Sequence, residues 1–111
     1  MATLEIVAEM PPLIKDEDGV FRVGGTRVRL DTVVGAFHHG CTPEEILFKY
    51  PSLNLDDIYA VIAYYLRHRE EVEAYLAERR LLIEEAEREI EARFPSAGVR
   101  ERLLARRVAK P

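Results

Sequence analysis

The apolar positions change their spacing along the chain. From Leu13 to Leu30 they alternate with polar residues in short runs, the period of strands. Two turn signals punctuate this stretch, Asp16-Glu17-Asp18-Gly19 and Gly24-Gly25. Adjacent glycines accept the positive φ values of a type I′ turn, so Gly24-Gly25 predicts a two-residue hairpin. In that register Val23 faces Thr26, Arg22 faces Arg27, Phe21 faces Val28 and Val20 faces Arg29. Cross-strand partners share a face. One face then holds Phe21, Val23, Val28 and Leu30, and the other holds Arg22, Arg27 and Arg29. A three-residue loop would mix the two sets. Arg22 against Arg27 is a like-charge pair, which either the acidic turn at Asp16–Asp18 or a bound anion would relieve.

Beyond Leu30 the period becomes helical. Asp31 predicts an N-cap for a helix over Thr32–His39, closed by Gly40, with Val33, Val34 and Phe37 inward. Thr42-Pro43-Glu44-Glu45 reads as a capping box with proline at the first helical position. That second helix buries Ile46, Leu47 and Tyr50 and stops at Pro51. Asn54 predicts the cap of a third helix, whose Ile58, Val61, Ile62, Tyr65 and Leu66 form one apolar face. Two helices joined by Pro51–Asn54 give a helix-turn-helix outline. A fourth helix is predicted from Glu70 to Arg93, rich in Glu, Arg, Ala and Leu. Leu76, Ile83 and Ile90 recur every seven residues, a coiled-coil-like row interrupted by Arg79, and predict self-association. Phe94-Pro95-Ser96-Ala97-Gly98 breaks the pattern before a short basic amphipathic stretch, Val99–Val108. The expected fold is α+β, mainly α: an N-terminal β-hairpin, a helix-turn-helix-like (homeodomain-like) three-helix unit and a long C-terminal helix. The expected divisions are residues 1–69, 70–94 and 95–111.

Charge sharpens the last division. Residues 1–95 carry a net −8, whereas residues 96–111 carry +4 from Arg100, Arg102, Arg106, Arg107 and Lys110 against Glu101. A terminal segment of opposite sign suggests a partner of its own. Val99, Leu103 and Leu104 form a stripe flanked by Arg102 and Arg106, as in a helix that folds into a partner's groove. At 111 residues the chain has room for one domain. No apolar run approaches the roughly 20 residues needed to cross a bilayer, the N-terminus lacks a signal-peptide pattern, and Cys41 alone forms no intrachain disulfide. These features place the expected protein in the cytoplasm, away from membranes.

Tests for chemistry point away from an enzyme. Gly24-Gly25 lacks the spacing and lysine of a phosphate loop. His38 and His39 diverge by about 100° on a helix, and no second ligand pair follows. Neither catalytic residues nor a metal or other cofactor is expected. The third helix is a poor DNA reader, because Asp56 and Asp57 at its start repel phosphate. If nucleic acid or another anion is bound, Arg22, Arg27 and Arg29 are the candidates.

Six segments carry a resemblance: Asp18-Gly19-Val20, Gly25-Thr26-Arg27-Val28, the apolar helix ending at Gly40, Cys41-Thr42-Pro43-Glu44-Glu45-Ile46-Leu47, Tyr50-Pro51-Ser52-Leu53 and Asp57-Ile58-Tyr59-Ala60. In these, Pro12–Arg80 resembles the domain of unknown function 433 family. The resemblance implies a homeodomain-like or winged-helix-like fold. It also implies an antitoxin of a type II pair, neutralising a PIN-like nuclease toxin by protein contact. It carries over no catalytic residues. The resulting expectation is a nuclease-like toxin as partner and a homodimer as assembly. A DNA-binding transcriptional regulator with a degenerate helix-turn-helix is the alternative.

Overall fold

A computed structural model describes residues 2–93. Its elements are β1 (Leu13–Lys15), β2 (Phe21–Val23), α1 (Leu30–His38), α2 (Pro43–Lys49), α3 (Leu55–Arg67) and α4 (Arg69–Arg93). The architecture is α+β, mainly α, with a short antiparallel hairpin ahead of a three-helix unit and a long last helix. The chain divides into two compact units, Met1–Val72 and Glu73–Pro111.

The hairpin closes at the first turn signal, not the second. β1 pairs with β2 in the register Leu13↔Val23, Ile14↔Arg22, Lys15↔Phe21. The turn between them is built by Asp16, whose Oδ1 accepts from the Asp18 N–H at 2.9 Å and the Val20 N–H at 3.0 Å. Gly19 supplies the left-handed residue, with φ at 81°.

The two-residue turn expected at Gly24-Gly25 does not form. Gly24 has φ at 57°, but Gly25 is not in the positive region that a type I′ turn also requires. Thr26 shapes a wider loop instead. Its Oγ1 donates to the Val23 carbonyl at 2.6 Å and accepts from the Val28 N–H at 3.2 Å, and the Val23 N–H donates to the Val28 carbonyl at 2.8 Å. Arg22 therefore bridges Arg29 and not Arg27. The slip keeps Val23 fully buried, leaves Phe21 and Val28 half-buried and puts Arg27 and Arg29 outside.

α1 begins earlier than its cap signal suggested. The Arg29 carbonyl already accepts from the Thr32 and Val33 N–H groups, so Asp31 lies in the first turn. There its negative charge faces the positive helix end. At the far end the Gly40 N–H donates to Phe37 O and the Cys41 N–H to Ala36 O, with Gly40 at φ 87°. This is a Schellman closure, which only glycine enters without strain. The Thr42–Glu45 capping box of α2 is present in both directions. Asn54 occupies the cap position of α3 but makes no side-chain cap bond.

The core of the first unit is built where these elements meet. α3 packs on α1 and α2, and β2 lies on α1 and α3. Val23, Val33, Ile46, Ile58, Val61 and Tyr65 have no exposed surface. Each such aliphatic side chain contributes about 1.5–3 kcal/mol of transfer free energy. Leu66 departs from the expected inward face and is 50% exposed. His68, with φ −123° and ψ 43°, separates α3 from α4. Within α4 only Val72 is buried among the described residues.

Candidate functional site

The cationic edge of the hairpin is partly neutralised from within. Arg22 Nε donates to Asp16 Oδ2 at 3.1 Å, and Arg22 Nη1 donates to the Arg27 carbonyl at 2.9 Å. One guanidinium thus ties the acidic turn to the Gly24–Arg27 loop. The Val20 N–H, followed by the Asp18 N–H and Arg22, holds the Asp16 carboxyl below the usual aspartate range. Of the three arginines proposed as an anion contact, Arg22 is committed to the fold and Arg27 and Arg29 are exposed. Gly24 also meets the start of α3: a Cβ there would lie 3.3 Å from Asp57 Oδ2. The glycine loop and the aspartate, far apart in sequence, form one local structure.

The histidines beside Cys41 serve the fold too. His38 Nε2 and the Tyr65 hydroxyl share a hydrogen bond of 2.8 Å, with the two rings edge to face at a centroid distance of 5.4 Å. His39 Nδ1 reaches the Gly35 carbonyl at 2.7 Å. Lys49 Nζ donates to Cys41 Sγ at 3.4 Å. The two imidazoles point to different partners. Among the described residues no three His, Cys, Asp or Glu side chains are grouped to hold a metal ion.

The exposed side chains of α2 and α3 include acids and large apolar groups. The Tyr59 hydroxyl donates to Glu44 Oε1, linking α3 to α2. That bond lowers the Glu44 carboxyl and raises the Tyr59 phenol relative to their ordinary values. Phe48, one turn beyond Glu44 on the same side of α2, is 88% exposed. Tyr59 is 49% exposed, and Leu66 lies two turns along α3 from it. Asp56 is exposed at the helix start. Sequence reasoning did not anticipate the Glu44–Tyr59 pair or the exposure of Phe48. The available signal was that Phe48 falls off the Ile46–Tyr50 face.

Leu76 is half-buried, while Ile83 and Ile90 are 37% and 61% exposed. The segment holding Val99, Arg102, Leu103, Leu104 and Arg106 lies outside the described residues. No described helix is long and apolar enough to cross a membrane. The family described as Protein of unknown function (DUF433) matches residues 18–65. That span runs from the hairpin turn through Tyr65 and so takes in the glycine loop and all of α1 and α2. No curated protein and no solved structure matches the chain.

Proposed function

Starting from a chain that belongs, through residues 18–65, to the DUF433 family, we propose that it is the antitoxin of a type II pair. It neutralises a PIN-like nuclease toxin by protein contact. The observation that carries this reading is the outward surface of α2 and α3. A base-reading helix offers cations and amides near its N-terminus. α3 offers Asp56 and Asp57 there, followed by exposed Tyr59 and Leu66, and Phe48 of α2 is exposed as well. Exposed aromatic and aliphatic groups with few cations suit a protein surface better than phosphate. The basic segment 96–111, with its Val99, Leu103 and Leu104 stripe, is the toxin-contacting element in this reading. Its arginines, Arg102 and Arg106 among them, complement the clustered carboxylates of a metal-dependent nuclease. Coexpression with a small PIN-like nuclease, should one be encoded beside it, tests the proposal. The two should copurify, and deleting residues 96–111 should release the nuclease activity. Full silencing by the truncated chain would remove the segment from the role, and failure to copurify would overturn the pairing.

The alternative, a DNA-binding regulator, is favoured by one observation: Arg27 and Arg29 are both exposed on the hairpin side. In a gel-shift series Arg27→Glu and Arg29→Glu should then weaken binding more than Tyr59→Ala and Tyr64→Ala, because phosphate contacts dominate affinity. The opposite ranking would assign the contact to α3.

A further inference from the structure

From Glu73 to Arg93 no residue of α4 is buried. Leu82 is 54%, Ile83 37% and Ile90 61% exposed. Leu76, Ile83 and Ile90 nevertheless keep a seven-residue repeat, with Ala86 in the intervening place, which is the spacing of a helix seam. A helix with so thin a stripe and no burial is marginal in water.

The charges around this row are arranged unevenly. Arg80 and Glu87 flank it on the same side, seven residues and about 10 Å apart along the axis, too far to pair within one helix. Arg79 stands within the row itself. Between Glu84 and Glu91 there are five glutamates against Arg88.

We propose that this row is the contact with a second copy of the chain, the two α4 helices lying antiparallel and crossing near Ile83. Reversal about that point brings Arg80 of each helix level with Glu87 of the other, so the ion pair forms twice. It also brings Leu76 to the end where the other helix carries Ile90. A parallel pair would instead set Arg79 against Arg79 in an apolar seam and stack the glutamate-rich halves on each other. Like charges so placed repel, so the charge pattern selects the reversed copy. The inference stands apart from the toxin-binding role, because it is read on the chain alone.

The full-length chain with Cys41→Ser and Ala74→Cys, nitroxide-labelled at the exposed position 74, gives the direct test by pulsed dipolar spectroscopy. Antiparallel helices crossing near Ile83 separate the two labelled backbones by about 28 Å along the axis. Parallel helices hold them about 10 Å apart. Sedimentation of the unlabelled chain should show a dimer that Ile83→Asp converts to monomer. Arg80→Glu and Glu87→Arg should each weaken the dimer roughly five- to tenfold, and the double variant should recover most of that loss. A monomeric wild-type chain, a short label distance or a double variant no tighter than the singles would overturn the proposal.

Discussion

The first unit and the second use apolar residues in opposite ways. In Met1–Val72 the helical and strand periods end in side chains without exposed surface, such as Val23, Ile46, Ile58 and Tyr65. Their burial is complete within one copy of the chain. In α4 from Glu73 onward a regular repeat is just as visible, yet Ile83 and Ile90 stay open. Periodicity therefore reports which side of a helix seeks cover, not whether the cover comes from the same chain. In the first unit the repeats close a core, and in α4 from Glu73 to Arg93 the repeat leaves its row open.

Paired substitutions put this contrast at risk most directly. Ile58→Ala removes a fully buried branched side chain of α3 and should cost about 2–5 kcal/mol. Ile90→Ala, at 61% exposure, should cost less than about 0.5 kcal/mol at concentrations where the chain is monomeric. Urea unfolding of the two variants measures both. Equal losses would mean that α4 is covered within one chain and would erase the distinction.

What the residues disclosed in advance follows the same line. The capping box at Thr42–Glu45, the Gly40 closure and the inward row Ile58, Val61, Ile62, Tyr65 were legible because each depends on neighbours within one or two turns. The hairpin was misplaced because two glycine signals competed. The deciding contacts were side-chain bonds from Asp16 and Thr26, which a pattern of apolar and polar positions does not register. Asp31 failed as a cap for a related reason, since the Arg29 carbonyl started the helix before it. Of the candidate set at Arg22, Arg27 and Arg29, the structure leaves Arg27 and Arg29 exposed and ties Arg22 to Asp16. The commitment of Arg22 to Asp16 appeared in sequence only as an option. Glu44–Tyr59 joins residues 15 apart on two helices and left no periodic trace.

A milder test sharpens the account inside the first unit. Thr42 accepts from the Glu45 N–H, whereas Asn54 makes no equivalent bond at the start of α3. Thr42→Ala should therefore lower stability by about 1 kcal/mol. Asn54→Ala should lower it by much less. Thermal or chemical unfolding distinguishes them, and a larger loss at Asn54 would show that local capping does not stabilise this unit as described.

The smallest expected effect is a pH dependence centred on the hairpin turn. Asp16 accepts two backbone N–H groups and an arginine, and its folded carboxyl titrates below the usual value of 3.8. A depressed folded value means that the folded chain favours the charged form. The resulting stabilisation is complete above the ordinary aspartate range and fades as pH falls through the lowered value. Asp16→Asn keeps an acceptor for Val20 and Asp18 but removes the charge that holds Arg22. Wild type should therefore unfold at higher urea than Asp16→Asn at pH 7, with the gap narrowing below about pH 4. The turn is open to solvent, which keeps the gap small and makes it shrink with added salt. A gap that widened in acid would mean that Asp16 is held neutral and that Arg22 finds its counter-charge elsewhere.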